Sequence, residues 1–413
     1  MKGKYLSVLI AMCGLAASSV GVMVNAAGVF YAPIAESLGT GRGNIAMMIT
    51  ICSIVASMVA MVVPKLIRET NLKLIIIVAT VLMAGSTLLY SLCNSLWQLY
   101  LLSIIRGFGG GLINFVLITM ILNQWFFAKH GVITSIAMAF SGVPGVVLSP
   151  IYTSIINSSG WRTAYVAVAA SMVLFNLPAI LLKFSLRPQT SGLQPYGYEE
   201  FQKLREEGNV LHDDRSSAGF SFANPKFILA MIVTIMISIV AAVPQHFPGY
   251  ATSIGHSAEV GALMLSVSMA FNILSKLGLG VLSDKVGVYK SVMIMVCVNI
   301  VGILFLLFIN TEFTLYAGAG MFAFAFAVGA VGCAMITGHL FGMEYYSTVY
   351  PVLSFVGGIA NALAATLVGS LYDVTGTYRV NFWLALGCQI ILLIAFNLAC
   401  LIRKKERRSG IEI

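Results

Sequence analysis

The second half of this chain repeats the first at an offset of about 216 residues, inside a sequence built almost wholly of long apolar runs. Ser37, Leu38 and Gly39 are echoed by Ser253, Ile254 and Gly255. The stretch from Phe126 to Gly160, Trp161 and Arg162 is echoed by the one from Phe341 to Gly376, Thr377, Tyr378 and Arg379. Two halves of equal length, each holding several membrane spans, can form a site at the interface between parallel repeats and rock about it.

Lipid must be the solvent for these runs, since 59% hydrophobic and 9% charged residues over 413 positions cannot be wrapped around one water-soluble core. Runs of about 20 apolar residues, enough to cross roughly 30 Å of hydrocarbon, recur along the chain. They predict helices near 5–31, 44–63, 73–93, 97–124, 131–155 and 161–183, then near 226–248, 258–282, 290–309, 314–338, 346–370 and 379–402. The expected fold class is all-α integral membrane, twelve transmembrane helices in two six-helix pseudo-symmetric bundles. The expected domains are a first bundle over 1–183, a cytoplasmic linker over 184–224, a second bundle over 225–402 and a basic cytoplasmic tail over 403–413.

With both termini placed in the cytoplasm, nineteen Lys and Arg fall on that side and three, Arg42, Arg162 and Arg379, on the other. The positive-inside rule therefore predicts a multi-pass protein of the cell membrane with cytoplasmic termini. The net charge of +9 reads as topology and attraction to anionic lipid, with no nucleic-acid partner. The apolar run after Tyr5 is too long for a secretory signal and has no clear cleavage site, so it is the first span. Seven cysteines lie in or beside predicted helices without metal spacing, which makes them packing residues and predicts no metal or other cofactor. The interval 184–224 is the one polar stretch of any length, with a short surface helix expected from Tyr198 to Gly208. There, His212, Asp213 and Asp214 read as a solvated group.

Several motifs resemble those of the major facilitator superfamily. Gly280, Val281, Leu282, Ser283, Asp284, Lys285, Val286 and Gly287 resemble its G-x-L-x-D-R-x-G loop, whose first-half counterpart here, Pro64 to Glu69, lacks the expected Asp. Arg106, Gly107, Phe108 and Gly109 resemble its R-G-x-G motif. Trp125, Phe126, Phe127, Gly131 and Ser141 to Gly145, together with Arg187-Pro188 and Gly192 to Gly197, are similar to the monocarboxylate and oxalate:formate porter group, as are Gly369, Tyr372, Asp373 and Gly376 to Tyr378. The resemblance implies a twelve-helix porter of small organic anions, with Gly280, Asp284 and Lys285 at a cytoplasmic gate. It also places Lys276 where that group has a substrate-binding Arg four residues before the glycine.

Buried charge points the same way on its own terms. A cation deep in hydrocarbon costs about 3 kcal/mol or more, so it faces a watery cavity or a partner. Arg106 lies about 14 Å along its helix from one end, and Lys276 about 12 Å from Asp284 at the other. No Asp or Glu falls well inside a predicted span, which leaves a carboxylate substrate as the expected counter-ion. Asn272 and Lys276 share a helical face with Ser268. The alternative for Lys276 is a snorkelling side chain, and for Arg106 a structural hydrogen bond to a neighbouring broken helix.

Where the oxalate porter has a lysine in helix eleven this chain has Ser354, Gly358 and Asn361 on one face, and where monocarboxylate porters have a lysine late in helix one it has Asn25, so the resemblance favours a monoanion over a dianion. Gln245 and His246, flanked by Pro244 and Pro248, are expected near the outer mouth as substrate contacts, His246 also as a proton carrier. Gly142, Pro144 and Gly145 read as a kink. Tyr31, Trp125, Tyr152, Tyr250, Phe355 and Trp383 either line the cavity or anchor helices. With no nucleophile, metal cluster or carboxylate pair in the spans, the chain is expected not to be an enzyme. The expectation is a monomeric secondary active transporter of a monocarboxylate-like anion, by proton symport or anion exchange; the alternative is a proton-coupled exporter of hydrophobic compounds.

Overall fold

The computed structural model describes residues 3–127, 130–198, 220–342 and 345–409. Eleven segments among them are long and apolar enough to cross a membrane, and one of these holds two spans. The spans are α1 (Gly3–Leu38), α2 (Arg42–Leu66), α3 (Leu72–Tyr90), α4 (Leu96–Trp125), α7 (Pro225–Ser253), α8 (Ala258–Val286), α9 (Val288–Phe308), α10 (Glu312–Phe341), α11 (Thr348–Thr375) and α12 (Arg379–Glu406). The remaining segment, Ile136–Leu181, turns back at Gly160, where φ is 81° and ψ 164°, and so provides α5 (136–159) and α6 (161–181). The twelve-helix expectation holds, and the described residues contain no β-strand.

The repeat is written into the backbone. Gly39 and Gly255 both take positive φ at the ends of α1 and α7 (61° and 90°), and Gly160 and Gly376 do so at the corners before α6 and α12 (81° and 68°). Each pair is 216 residues apart. A side chain at such a corner would carry a steric penalty, so glycine ends the helix there without strain. The helix breaks repeat as well. α1 narrows to a 3-10 turn over Ala27–Phe30 and α7 over Val243–His246, again at an offset of 216.

Polar pairs inside each half glue third to sixth helix. Asn176 Nδ2 of α6 donates to Thr80 Oγ1 of α3 at 3.0 Å, and Gln389 Nε2 of α12 to Asn299 Oδ1 of α9 at 2.6 Å. Arg162 and Arg379 open α6 and α12 and turn back to cap the ends of α3 and α9, donating to Cys93 O at 3.1 Å and Leu307 O at 3.2 Å. Cations at helix C-termini meet otherwise unpaired carbonyls, which explains two of the three basic residues at this end. One hydrophobic core runs through residues 5–184 and takes in Ala262, Leu265 and Met269 of α8; the other spans 227–399.

At the end carrying both termini, called here the terminal end, part of the expected linker is folded onto the first half. Tyr196 and Phe126 form a parallel bridge, with Tyr196 N donating to Trp125 O (2.8 Å) and Phe127 N to Tyr196 O (2.9 Å). Tyr5 donates to Gln194 O at 2.7 Å, and Trp125 Nε1 to Ser185 O at 2.9 Å. Phe220 packs on Phe222, Phe227, Phe341 and Tyr345, which ties the linker's other end to the second half. Buried Lys226 pairs with Glu406 there. The surface helix expected beyond Tyr198, the His212, Asp213 and Asp214 group, Lys129, Glu344 and the last four residues lie outside the described residues.

Candidate functional site

Backbone irregularity sets up a cavity between the halves. α1 leaves α-helical geometry over Ala17–Asn25, where it is π-helical, and again over Ala27–Phe30. α7 does so over Val243–His246, where Pro244 cannot continue the hydrogen-bond ladder. The two breaks touch: a Cβ on Gly28 would come within 2.0 Å of Gln245 O, so only glycine fits. Beside this contact a cavity is lined by Val24, Asn25, Ile49 and Ser53 from the first half and by Ala241, Gln245, Phe326, Asn361 and Ala365 among others from the second. Irregular backbone at membrane depth is tolerated where it lines such a space.

Three expected site residues meet in this cavity. Asn25 Nδ2 donates to Ser141 O at 2.8 Å, and Asn361 Nδ2 to Ser238 O at 2.9 Å. Gln245 is buried with its Oε1 unpartnered among the described residues.

Arg106 stands apart, inside the first half. It is 3% exposed, with its guanidinium carbon 5.6 Å from the centre of the Tyr90 ring and its Nε unpartnered among the described residues. The glycines that follow serve packing. A Cβ on Gly107 would meet Cys52 O at 2.5 Å, one on Gly109 Ala79 O at 2.8 Å, and one on Gly111 Ala56 O at 2.6 Å. Tyr31, Tyr90, Tyr152 and Tyr165 gather around Arg106. Tyr90 lies 5.1 Å from Tyr165, Tyr165 stacks on Phe30 at 4.4 Å, and Phe30 lies 5.9 Å from Tyr152. Tyr31 and Tyr152 hydroxyls are buried without partners among the described residues. Tyr90 and Tyr165 carried no signal in the sequence beyond their residue type, because nothing local brings them to Arg106.

On α8, Ser268 and Asn272 are buried with Ser268 Oγ and Asn272 Oδ1 unpartnered among the described residues. The stripe that carries Lys276 faces the first half. Met269 and Ile273 press on α5, where a Cβ on Gly145 would meet Met269 Cγ at 2.4 Å and one on Gly142 Ile273 Cγ1 at 2.9 Å. Lys276 is seven residues past Met269 and therefore lies on the same line toward the terminal end. It is half-buried and makes no hydrogen bond or ion pair among the described residues. Phe140–Gly142 is a 3-10 turn, so α5 is irregular where the kink was expected.

His246 does not sit at an open mouth. It is 2% exposed, its Nε2 is 3.0 Å from Ala365 O, and its ring lies 5.0 Å from Tyr31 and 6.0 Å from Tyr378. Beyond it the end opposite the termini, the distal end, is closed. Asp373 Oδ1 accepts from Arg42 N at 2.9 Å and Oδ2 from Gly43 N at 2.8 Å, which caps the N-terminus of α2 with a carboxylate from the other half. Arg42 Nη1 donates to Gly249 O (3.0 Å) and Tyr378 Oη (3.2 Å), and its guanidinium carbon lies 4.4 Å from the Tyr372 ring centre. Thr50 and Thr366 hydroxyls meet at 2.7 Å, and Asn157 Nδ2 donates to Glu259 at 2.6 Å. The pairing of Arg42 with Asp373 went unread in the sequence, where one counted as a topology charge and the other as part of a loop.

At the terminal end of α8, Asp284 and Lys285 are exposed and a Cβ on Gly280 would meet open space. The degenerate first-half loop is used differently. Glu69 accepts from Leu186 N (2.8 Å), Arg187 N (2.7 Å) and Thr190 Oγ1 (2.9 Å). Lys73 donates to Ala179 O, Ile180 O and Leu182 O at the end of α6. Of the aromatic candidates, Trp125 packs at the terminal end and Tyr250 donates to Leu306 O (2.7 Å) within the second half. Phe355 and Trp383 are 43% and 53% exposed.

Two six-helix halves related by an internal repeat, with broken helices lining a cavity between them, define a membrane transporter and not an enzyme. A family model described as Major Facilitator Superfamily matches residues 11–287, and the chain belongs to that family. It is similar to Monocarboxylate transporter 12 of Xenopus laevis, 23% identical over 348 residues that cover 80% of this chain and 75% of the relative. It is also similar to Monocarboxylate transporter 4 of Rattus norvegicus, 24% identical over 328 residues covering 76% and 67%. Among solved structures, the nucleoside transporter NupG aligns over 96% of this chain and 100% of its own, with a TM-score of 0.69 at 12% identity. A bacterial homolog of the human lysosomal transporter Spinster, in an inward-facing and occupied conformation, aligns over 96% and 95% with a TM-score of 0.61 at 14% identity. These likenesses establish the fold.

Proposed function

We propose that the chain carries a small organic acid anion across the cell membrane by alternating access, as a monomer with both termini in the cytoplasm. The observation that carries this reading is charge without counter-charge: Arg106 is buried and Lys276 half-buried, and neither has a carboxylate partner among the described residues. A carboxylate entering between the halves supplies the missing charge-assisted hydrogen bonds. Asn25, Asn272, Asn361 and Gln245 orient it, and His246 carries a proton if coupling is by symport. The names of the monocarboxylate relatives agree with this substrate class. The distal end is then the outer face, and Gly280, Asp284 and Lys285 belong to an inner gate.

The apolar part of the cavity lining, Val24, Ile49 and Phe326, favours a second reading, export of hydrophobic compounds. Uptake and counterflow of labelled mono- and dicarboxylates in proteoliposomes separate the two. The proposal expects transport of at least one acid, reduced about a hundredfold or more in Lys276→Ala or Arg106→Ala, because the substrate's buried carboxylate is then left unpaired. No acid transported, or full activity in both variants, moves the exporter to first place. A pH gradient that drives uptake selects symport over exchange.

A further inference from the structure

The two asparagines of the cavity come from opposite halves and are held in the same way. Asn25 Nδ2 donates to the backbone carbonyl of Ser141 at 2.8 Å, and Asn361 Nδ2 to that of Ser238 at 2.9 Å. A carboxamide anchored on a carbonyl cannot be turned over, because the flipped group would set oxygen against oxygen with no proton between them. Each side chain therefore presents Oδ1 as its free end, and neither oxygen accepts a hydrogen bond among the described residues. Both residues line the cavity, and neither is exposed at the protein's outer surface.

Other free atoms nearby repeat this polarity. Gln245 Oε1 is buried and unpartnered among the described residues. His246 Nε2 lies 3.0 Å from Ala365 O, which requires the proton on Nε2 and leaves Nδ1, also unpartnered, as an acceptor. Val24, Ile49, Ala241 and Phe326 make much of the rest of the wall apolar, and no carboxylate contributes to it. Ser53 and the unanchored carboxamide of Gln245 can donate or accept, so the acceptors fixed in the wall are the two asparagine oxygens, and neither carries negative charge. An ammonium group would enter without a counter-ion, whereas a hydroxyl brings one neutral donor to each acceptor it meets.

We propose that Asn25 and Asn361 form a hydroxyl-reading subsite, so that the transported acid is a hydroxylated carboxylic acid whose hydroxyls donate to the two Oδ1 atoms. This rests on the organic-anion reading above and narrows it. The asparagine pair rejects acids of the same size and charge that lack the hydroxyl. Sites built to hydrogen-bond a substrate hydroxyl discriminate strongly against the analogue without it, since the buried acceptors are then left unpaired. Because the two oxygens belong to different halves, the substrate bridges them only while both halves close on it.

The test is competition in proteoliposomes between glycerate and propionate, which share charge and carbon number and differ in two hydroxyls. The expected result is a preference for glycerate of about tenfold or more in the unaltered protein, falling to within about twofold in Asn361→Leu while propionate transport persists. Equal transport of the two acids by the unaltered protein overturns the proposal, as does an unchanged preference in both Asn361→Leu and Asn25→Leu. If neither acid is carried, the anion reading fails and the subsite is tested separately by thermal unfolding in erythritol, a neutral polyol. Stabilisation of the unaltered protein that is lost in Asn361→Leu upholds the subsite, and no stabilisation overturns it. Should Asn361→Leu not fold, Asn361→Ser, which keeps a small polar group without the anchored carbonyl, takes its place under the same criteria.

Discussion

The two ends of the interface between the halves are built from different kinds of contact. At the distal end, hydrogen bonds run from one half to the other: Asp373 to the first turn of α2, Arg42 to Gly249 and Tyr378, and Thr50 to Thr366. At the terminal end, the strongest polar contacts stay within a half. Glu69 and Lys73 hold the corner after α6, Tyr196 is laced to Trp125 and Phe127, and Lys226 pairs with Glu406. A bond across the interface is broken whenever the halves separate there, whereas a bond inside a half survives any rigid-body motion. If the halves rock as proposed, the distal contacts set which way the protein faces, and the terminal contacts set how stable each half is.

The largest effect on the distal end is expected at Gly43. A Cβ there would come within 2.5 Å of Ser370 Oγ and 2.7 Å of Ser370 N, with backbone on the far side unable to yield. Gly43→Val is expected to open the distal end almost completely. Pulsed EPR between spin labels on Ser159→Cys and Val374→Cys, in a Cys297→Ser background, should then report one longer distance in place of the short one. If the short distance persists, the two helices do not close on this glycine.

A smaller effect is expected from Asp373→Asn. It keeps the shape but removes the charge and one of the two acceptors from a helix N-terminus, a loss of about 1 kcal/mol or more at an exposed position, so the open fraction should rise at least about fivefold in the same measurement. No change would mean that packing alone holds the distal end shut. Glu69→Gln should leave the EPR distances untouched and lower thermal stability by about 1 kcal/mol, because it weakens three hydrogen bonds inside one half. A shift in the distances would show that the terminal corner takes part in the motion. The least effect is expected from Tyr5→Phe, which loses one hydrogen bond to Gln194 O, worth about 0.5 to 1.5 kcal/mol, with no change in facing.

Much of this architecture was legible because it depends on local rules. Apolar run length gave the spans, and the repeated glycines gave the corners that the structure places at Gly39, Gly160, Gly255 and Gly376. The break in α7 was announced by Pro244 and Pro248; its counterpart in α1 has Pro33 three residues beyond it, which cannot donate back into the turn, and Gly28 packs there against Gln245. The linker was read by composition as a free connector, yet Tyr196 and the residues before it lie folded on the first half, since a few apolar side chains in a polar stretch suffice to dock it.

Site residues divided along the same line. Asn25 and Asn361 were picked out by the resemblance, as positions where similar porters have lysines, and Gln245 by its flanking prolines; only the fold brings the three into one cavity. The closure between Arg42 and Asp373, 331 positions apart, is a product of tertiary assembly that no local pattern encodes.

The paired corner glycines carry a consequence for assembly. Each half turns its own corners and fills most of its own core, and the first core reaches across to Ala262, Leu265 and Met269 of the second. The covalent link between them is therefore dispensable for recognition. Two polypeptides divided within the linker and made side by side in one cell should find each other in the bilayer and reconstitute the intact molecule, as befits a chain that is two copies of one plan.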